Sequence, residues 1–400
     1  MKYSFLRISV LFSLTFVLLV TSQPAEAAVS VDVANGSPGA PLCLPGQIAD
    51  PIADCQSLGP AAYLDQLKTQ GMPLPRSPLP AARLDPAFSE LPYNYLRLAD
   101  KDTPIFSTLD EAMTNQNPYR LIPAGFDFVS YVDYYQGSGN GRHYMIEPGM
   151  WIRGGSTNGR AALSSFSGMV FAGTPANQFG WVLYQTESQT SPGPNSSQLT
   201  GHILNRYDII QVYRTETING VNWVMIGPDE WVDKSKTALV YPTTTPPQGV
   251  TNGRWIEINL YEQTISVYQN NRLVFATLTS TGIPGWWTRP GLFQIFQKLE
   301  STPMSGAFEA DKSDYYYLED VPWTMYFDEA RALHGAYWHD YFGYEQSHGC
   351  VNLSPGDSHW LYLWANEGDY VYVWDPSGET PTDPSLYTPG GALGAKQSSG

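Results

Sequence analysis

From residue 92 the chain consists of short aromatic and β-branched runs broken by turns, and hydrophobic and polar positions alternate with a period of two between residues 255 and 268. Residues 255–260 read Trp-Ile-Glu-Ile-Asn-Leu, and residues 264–268 read Thr-Ile-Ser-Val-Tyr. Such alternation is typical of strands with one face in the core. The polar run Gln-Asn-Asn-Arg at 269–272 then leads into another apolar stretch. The pattern predicts consecutive antiparallel strands.

A nine-residue pattern occurs twice, eighty residues apart. Residues 144–152 read Tyr-Met-Ile-Glu-Pro-Gly-Met-Trp-Ile, and residues 224–232 read Val-Met-Ile-Gly-Pro-Asp-Glu-Trp-Val. Each copy has the order strand, tight Pro turn and Trp-bearing strand, so the repeat predicts two related β-modules. Trp151 and Trp231 either pack in the two cores or form exposed platforms for a ligand.

A helix is predicted near the end of the chain. Ser354 is a suitable N-cap and Pro355 a suitable first helical residue. Trp360, Leu361 and Trp364 then give the helix an apolar stripe, and Gly368 is the predicted stop before a strand at 370–374.

The first residues have the pattern of an export signal. Lys2 and Arg7 precede an apolar run at 8–20, and small residues at Ala25 and Ala27 suit cleavage after residue 27. We therefore expect an exported protein of the periplasm, cell wall or cell surface, with an uncleaved membrane anchor as the alternative.

Composition narrows the class of protein. Charged residues are only 15% of the chain and aromatic residues 14%, with 32 prolines and 36 glycines, which favours β-rich modules joined by stiff linkers. The formal net charge is −16 and the isoelectric point is near 4.7. An acidic protein of this kind lacks the basic face that nucleic acid requires.

Export makes the three cysteines informative. An oxidising compartment favours a disulfide between Cys43 and Cys55, which lie close together in sequence, and leaves Cys350 as a free thiol. The alternative is three unpaired cysteines.

The stretch 334–353 concentrates the candidate chemistry. It holds His334, His339 and His348, three of the six histidines, together with Cys350. A thiol becomes a useful nucleophile when a neighbour lowers its pKa or takes its proton, and imidazole is the usual partner. The helix that begins at residue 355 is expected to favour a thiolate if its N-terminus lies near.

His334-Gly335, followed by Ser347-His348-Gly349-Cys350 and Asn352, resembles the signature of the L,D-transpeptidase (YkuD-like) catalytic domain, found in bacterial enzymes that cross-link peptidoglycan. Many members have Arg where this chain has Asn352, which we interpret as the mark of a subclass. The resemblance extends over about residues 254–374. It implies a mainly β fold in which a β-sandwich-like catalytic domain with short helices follows two modules that resemble bacterial SH3-like barrels.

The predicted organisation has seven parts: a signal peptide (1–27), a Pro-rich N-terminal segment (28–91), SH3-like β-module 1 (92–160), SH3-like β-module 2 (161–241), a linker (242–253), the catalytic domain (254–375) and a disordered tail (376–400). The separate catalytic domain is expected to keep turnover on small soluble stem peptides, while the β-modules raise its activity on the insoluble wall.

The resemblance implies acyl transfer through a thioester on Cys350, with release of D-Ala from a peptidoglycan stem peptide and formation of a 3→3 cross-link to a second stem. His334 would be the base, with the Gly335 carbonyl fixing its tautomer. The backbone N–H groups of His348, Gly349 and Cys350 would form the oxyanion hole. His348 otherwise shapes the site, although the two histidines could exchange roles.

The resemblance also implies substrate contacts from Tyr326, Ser347 and Asn352, and acylation by carbapenem-type inhibitors, with no cofactor and no metal. Besides an inert, buried cysteine whose neighbouring histidines only pack in the core, three alternatives stay open. Water in place of the amine gives an L,D-carboxypeptidase or endopeptidase, and an inactive domain leaves a cell-wall-binding protein. A zinc site from the histidines, Asp340 and Cys350 is the third, but the sequence has no CxxC or HExxH core.

Overall fold

The computed structural model describes residues 66–72, 78–137, 141–194, 198–307 and 315–387. The predicted signal peptide, the predicted Cys43–Cys55 disulfide and residues 388–400 lie outside this part of the chain. Among the described residues, no helix has the length and apolar character needed to cross a membrane.

Strands dominate the described residues, and the mainly β prediction is confirmed. Residues 66–69 are helical, and the further helices of the described residues are α1 (Leu109–Thr114) and α2 (Pro355–Trp364), with 3-10 turns at Pro86–Ser89, Gly154–Ser156, Lys234–Lys236 and Pro384–Leu386. The strands are β1 (Ala81–Arg83), β2 (Asn94–Leu98), β3 (Thr103–Ile105), β4 (Arg120–Ile122), β5 (Phe126–Tyr131), β6 (Asp133–Gln136), β7 (Arg142–Glu147), β8 (Met150–Arg153), β9 (Thr157–Arg160), β10 (Met169–Phe171), β11 (Gln178–Val182), β12 (Thr186–Gln189), β13 (Leu199–Leu204), β14 (Ile209–Val212), β15 (Arg214–Ile218), β16 (Val221–Gly227), β17 (Glu230–Asp233), β18 (Thr237–Val240), β19 (Arg254–Asn259), β20 (Thr264–Gln269), β21 (Arg272–Leu278), β22 (Gly291–Gln294), β23 (Gln297–Gly306), β24 (Tyr316–Asp328), β25 (Arg331–Gly335), β26 (Val351–Leu353) and β27 (Tyr370–Trp374).

The sequence repeat is also a repeat of structure. In the first copy β6, β7 and β8 form one sheet while β9, β2 and β5 pair in order, and in the second copy β15–β16–β17 and β18–β11–β14 pair in the same way. Met145 lies opposite Trp151, and Met225 lies opposite Trp231, with the same register shift after each pair. We call the two predicted modules, residues 92–160 and 161–241, the first and the second β-unit. Their SH3-like assignment stays a prediction. Trp231 is a core residue with 6% of its surface exposed, and Trp151 is half-buried.

The predicted antiparallel strands form the centre of the first large sheet. β19, β20 and β21 are consecutive neighbours, and Gln269 lies opposite Arg272. The two residues between them, Asn270 and Asn271, both have left-handed φ values of 54° and 57°. This is the geometry of a two-residue hairpin turn, and asparagine tolerates it better than other residues with a Cβ.

The two large sheets extend across the predicted domain boundaries. The first has the order β1-β10-β21-β20-β19-β27-β22, so strands from residues 81–83 and 169–171 continue the predicted catalytic domain. The second has the order β26-β25-β24-β5-β2-β9, with β23 also paired to β24, so it includes strands of the first β-unit. The catalytic region therefore shares both sheets with earlier parts of the chain.

The hydrophobic core is shared in the same way. One cluster joins Trp255, Tyr268 and Phe342 of the catalytic region to residues that precede it, namely Phe166, Met169, Phe171, Phe179, Trp181, Leu183, Ala238 and Val240. A second cluster lies between the sheets and α2 and includes Leu84 from the N-terminal segment. Neither cluster is complete within residues 254–375.

Helix α2 begins where the sequence predicts and ends earlier. Ser354 Oγ accepts a hydrogen bond from the N–H of Asp357 at 3.3 Å, which caps the first turn. The helix ends at Trp364, and Gly368 lies in the following turn with φ of +91°. Asn366 and Asp369 close that turn, since the Asp369 carboxylate accepts the Asn366 N–H at 2.8 Å.

Residues 376–387 differ from the predicted disordered tail. The Asp375 carboxylate accepts hydrogen bonds from Ser377 and Thr380, and Thr380 is buried. The Tyr387 ring lies 5.1 Å from the Arg331 guanidinium. These contacts hold the segment against the catalytic region, which its Pro- and Ser-rich composition did not indicate.

The shared sheets change the expectation for an isolated catalytic domain. We predict that a fragment of residues 248–376 does not fold, whereas a fragment of residues 78–387 does. The shorter one lacks β1, β10 and several large core side chains worth about 1.5–3 kcal/mol each, against a typical net stability of about 5–15 kcal/mol. Thermal melting followed by circular dichroism checks this. A cooperative melt of the short fragment near the temperature of the long one contradicts it.

Candidate active site

Parallel pairing of β25 with β26 brings the predicted nucleophile and base together. Leu333 lies opposite Val351 and His334 opposite Asn352. Cys350 precedes this register and shares a face with Asn352 and His334, because side chains alternate along a strand. A rise of 3.3 Å per residue and a strand spacing of 4.8 Å place the Cα atoms of Cys350 and His334 about 8 Å apart. Their side chains point into one cavity.

The cavity has a volume of about 450 Å³. Six of the residues singled out from the sequence line it: His334, Tyr326, Ser347, His348, Cys350 and Asn352. The rest of its lining comes mainly from the hairpin β23–β24 and its surroundings: Phe126, Pro303, Met304, Ser305, Gly306, Tyr316, Leu318, Ala330, Trp338 and Gln346. The site predicted from sequence is therefore brought together in space.

His334 is positioned to accept a proton. It has 2% of its surface exposed, and its Nδ1 lies 3.4 Å from the carbonyl oxygen of Gly335, which places the ring proton on Nδ1 and leaves Nε2 as the acceptor. Burial lowers the pKa of His334 to about 4, more than the bond to Gly335 raises it. The imidazole is neutral at neutral pH, as a general base must be.

The thiol of Cys350 is partly buried, and its Sγ lies 3.7 Å from the carbonyl oxygen of Ala330. Burial raises its pKa, while a backbone hydrogen bond from Ala332 and the charge of Arg331 act in the opposite sense. With a raised thiol pKa and a lowered imidazole pKa, the resting pair is neutral rather than a thiolate and an imidazolium.

The cation beside the thiol belongs to a buried charge cluster. Arg331 has 1% of its surface exposed, and its Nη1 donates to an Asp328 carboxylate oxygen at 2.8 Å. Arg289 Nε donates to the same oxygen at 2.9 Å, and its guanidinium also pairs with the second oxygen. The single carboxylate of Asp328 thus pairs with two arginines, one of which is the positive charge that acts on Cys350.

The turn that precedes Cys350 is held by its own hydroxyl. Ser347 Oγ donates to the carbonyl oxygen of Cys350 at 2.5 Å and accepts the N–H of Gly349 at 3.1 Å. Gly349 has φ of +111°, a conformation that favours glycine. The prediction that the Gly349 N–H belongs to the oxyanion hole is therefore not supported, because the Ser347 hydroxyl already takes that donor.

A second segment fixes the turn from behind. The carbonyl oxygen of Thr281 accepts hydrogen bonds from the N–H groups of Gln346 and Ser347 at 2.9 and 3.0 Å. Thr288 Oγ1 donates to the carbonyl oxygen of Gly349 at 2.9 Å. A Cβ on Gly282 would lie 2.0 Å from the carbonyl oxygen of Trp286, so this position requires glycine. Residues 281–288 thus support the turn that precedes Cys350.

Asn352, which lines the cavity, is paired with His339. Asn352 Nδ2 donates to His339 Nε2 at 3.0 Å. Burial lowers the pKa of His339 to about 4, so its ring is neutral and can accept this bond. His348 also lines the cavity, and its ring stacks on Tyr316 with centroids 5.8 Å apart.

The helix does not act on the thiol as expected. Cys350 immediately precedes β26, whereas α2 begins after the end of that strand. The intervening residues place the helix N-terminus about 13 Å from Cys350, at about 3.3 Å per residue, and the effect of a helix dipole falls off within its first turn. Arg331 is the nearby positive charge instead.

Sequence analysis missed Arg331, Asp328 and Phe126. Asp328 and Arg331 are charges three residues apart in an otherwise apolar stretch, and this spacing was the available signal. Phe126 lies more than two hundred residues before the nucleophile, and no local pattern indicates its place in the cavity.

Comparison with known proteins agrees with the resemblance seen in the sequence. Residues 253–373 match the family model of the L,D-transpeptidase catalytic domain, which confirms that prediction for this region. No curated protein matches the chain.

Several solved structures are similar to part of the chain. An L,D-transpeptidase from Stackebrandtia nassauensis is 30% identical over 34% of this chain and 60% of its own length, with a TM-score of 0.26. The catalytic domain of the E. faecium L,D-transpeptidase is 25% identical over 32% of this chain and 100% of its own, with a TM-score of 0.28. The same domain acylated by ertapenem gives the same values. The chain thus spans three fifths of the first of these structures.

The neutral resting pair has a measurable consequence. We predict that the alkylation rate of Cys350 by iodoacetamide keeps rising with pH beyond about 8.5, the usual thiol pKa, because burial raises the pKa of this thiol. The rate is measured by mass spectrometry of the Cys350 peptide between pH 5 and pH 10. A plateau that begins below pH 7 indicates a preformed thiolate and contradicts the prediction.

Proposed function

We propose that the protein is an exported peptidoglycan L,D-transpeptidase. The observation that carries the proposal is the placement of Cys350 and His334 on adjacent parallel strands that face one cavity, within the region that matches the L,D-transpeptidase catalytic domain. A wall-binding protein without activity has no need for a neutral buried imidazole beside an accessible thiol.

The first half-reaction cleaves the donor stem peptide. His334 Nε2 takes the thiol proton as Sγ of Cys350 attacks the carbonyl carbon between the third stem residue and the terminal D-Ala. The new carbon–sulfur bond gives a tetrahedral intermediate, which collapses with cleavage of the carbon–nitrogen bond. The proton on His334 passes to the leaving amine, and D-Ala departs from a thioester.

The second half-reaction forms the cross-link. A side-chain amine on the third residue of another stem attacks the thioester carbon, and His334 takes the proton that the amine loses. The carbon–sulfur bond breaks, and the proton returns to Cys350. The product is a 3→3 amide, with no net change in the number of amide bonds.

The remaining residues divide into binding and support. The N–H groups of His348 and Cys350 are the proposed oxyanion donors. Tyr326 lies close enough to Cys350 for the thiol's charge to contribute to raising the tyrosine pKa, after the larger effect of burial, and it is a proposed substrate contact. Ser347 holds the turn through both of its hydrogen bonds, so its role is positioning rather than substrate contact.

The product distribution tests the activity. The mature chain, incubated with a purified disaccharide-tetrapeptide, is expected to release D-Ala and form a 3→3 dimer, detected by mass spectrometry. Cys350→Ala and His334→Gln should each lower dimer formation by at least about 10³-fold, because nucleophile and base act as a unit. His202→Gln is the matched control, since His202 is exposed and remote from the cavity. Release of D-Ala with tripeptide and no dimer identifies a carboxypeptidase instead.

The inhibitor specificity implied by the resemblance gives a second test. A carbapenem is expected to add once to the mature chain, with an intact-mass increase equal to the inhibitor. The adduct should be absent from Cys350→Ala, because the sulfur is the acylated atom. An adduct that persists in Cys350→Ala places the reactive group elsewhere and counts against the thioester mechanism.

A further inference from the structure

One wall of the catalytic cavity comes from outside the region that matches the family model. Phe126, the first residue of β5, lines the cavity together with Tyr316 and Leu318 of β24. The Phe126 side chain is 42% exposed, and the Arg97 guanidinium lies 5.7 Å from the centroid of its ring, so only part of the ring is open to a ligand. This apolar part of the cavity wall is thus built from two segments that are far apart in the chain.

β5 is bonded directly to the hairpin. It pairs in parallel with β24, with Phe126 opposite Tyr316 and Phe128 opposite Leu318. On its other edge, the same part of β24 pairs only with β23, where Met304 lies opposite Leu318. The pairing with β25 begins further along, at Met325.

This arrangement makes the far end of the hairpin dependent on the first β-unit. Without β5, residues 304–306 and 316–318 would be a two-stranded ribbon beyond the end of the sheet. Such ribbons are marginally stable in water, whereas a third strand makes them stable. β5 is that third strand.

A glycine permits the pairing to begin. The N–H of Phe126 donates to the carbonyl oxygen of Tyr315 at 3.1 Å. A Cβ on the preceding residue, Gly125, would lie 2.4 Å from that oxygen. Since Gly125 does not have a positive φ, alanine at this position would be strained only by its contact with Tyr315.

Side chains add to the backbone pairing. The N–H of Ser130 donates to the Glu319 carboxylate at 2.9 Å, and its hydroxyl donates to Asp320 at 2.6 Å. Tyr95 Oη donates to the carbonyl oxygen of Asp320 at 2.7 Å, and its ring stacks on Tyr337 at 3.6 Å between centroids. The first β-unit therefore contacts both the hairpin and the loop that leads to Cys350.

We propose that the first β-unit is a part of the substrate cleft. β5 positions the end of the hairpin β23–β24 in the wall of the cavity that Cys350 also lines, with Gly125 as a positioning residue. Phe126 packs against an apolar face of the stem-peptide substrate beyond the reacting amide. The inference rests on the proposed function for the identity of the substrate. It gives the first β-unit a role in binding each stem peptide, and not only in attachment to the wall.

The test measures binding without turnover. The full chain carrying Cys350→Ala is titrated with a purified disaccharide-tetrapeptide by calorimetry. Adding Phe126→Ala should raise the Kd about tenfold, because the ring loses its apolar contact with the ligand. Adding Gly125→Ala should raise the Kd at least fivefold, because the hairpin is displaced. In the active chain the same ratios are expected in KM, with kcat within about threefold.

Two matched control variants distinguish an effect on the cleft from a general disturbance of the first β-unit. Tyr135→Ala removes another ring of the first β-unit that is 41% exposed and lies outside the cavity. Gly155→Ala adds a Cβ where no atom lies within 4 Å and φ is not positive. Both should leave the Kd and KM within twofold of the parent chain.

Each outcome has one meaning. Equal Kd and KM for Phe126→Ala and Tyr135→Ala overturn the inference, and this comparison decides even if Gly125→Ala fails to fold. If Phe126→Ala raises the Kd while the parent chain forms no cross-links, the result supports the role of the cleft and counts against the proposed activity. Normal cross-linking by Phe126→Ala with an unchanged KM removes the cleft role and leaves the proposed activity intact.

Discussion

The parallel pairing of β25 with β26 is the constraint on which the candidate site depends. It brings His334 and Cys350 to one face of the sheet. The two residues are too far apart in sequence for a tight turn to do this. Parallel strands need a crossover of about a dozen residues or more, and here residues 336–350 form it without a regular helix. Such a connection needs support from other parts of the chain to hold one conformation.

That support comes from both β-units. Tyr207 Oη of the second unit accepts the N–H of Phe342 at 3.1 Å, and Tyr344 Oη donates to the carbonyl oxygen of Leu183 at 3.2 Å. In the first unit, Tyr95 stacks on the buried Tyr337 ring. Shared sheets and shared apolar clusters continue these contacts into the core. The units that precede the catalytic region are therefore part of its structure rather than domains attached by a linker.

Electrostatics in the site follow from burial. The chain carries a net charge of −16, yet the reacting pair is neutral, because burial disfavours both an imidazolium at His334 and a thiolate at Cys350. In the proposed reaction, proton transfer from sulfur to imidazole is then coupled to the approach of the substrate carbonyl. Arg331, balanced by Asp328, contributes a fixed positive charge that favours the developing thiolate.

The sequence by itself determined the local features: the strands of alternating pattern at 254–278, the two-residue Asn-Asn turn, the repeat, the cap at Ser354 and the motif that holds Cys350 and His334. Each depends on residues close together in the chain. Only the tertiary structure decided the shared sheets, the buried pair Arg331–Asp328, the use of the Gly349 N–H by Ser347 and the place of Phe126 in the cavity. These depend on which strand edges meet across long stretches of chain, and edge pairing through backbone hydrogen bonds leaves no periodic trace in the side chains of either partner.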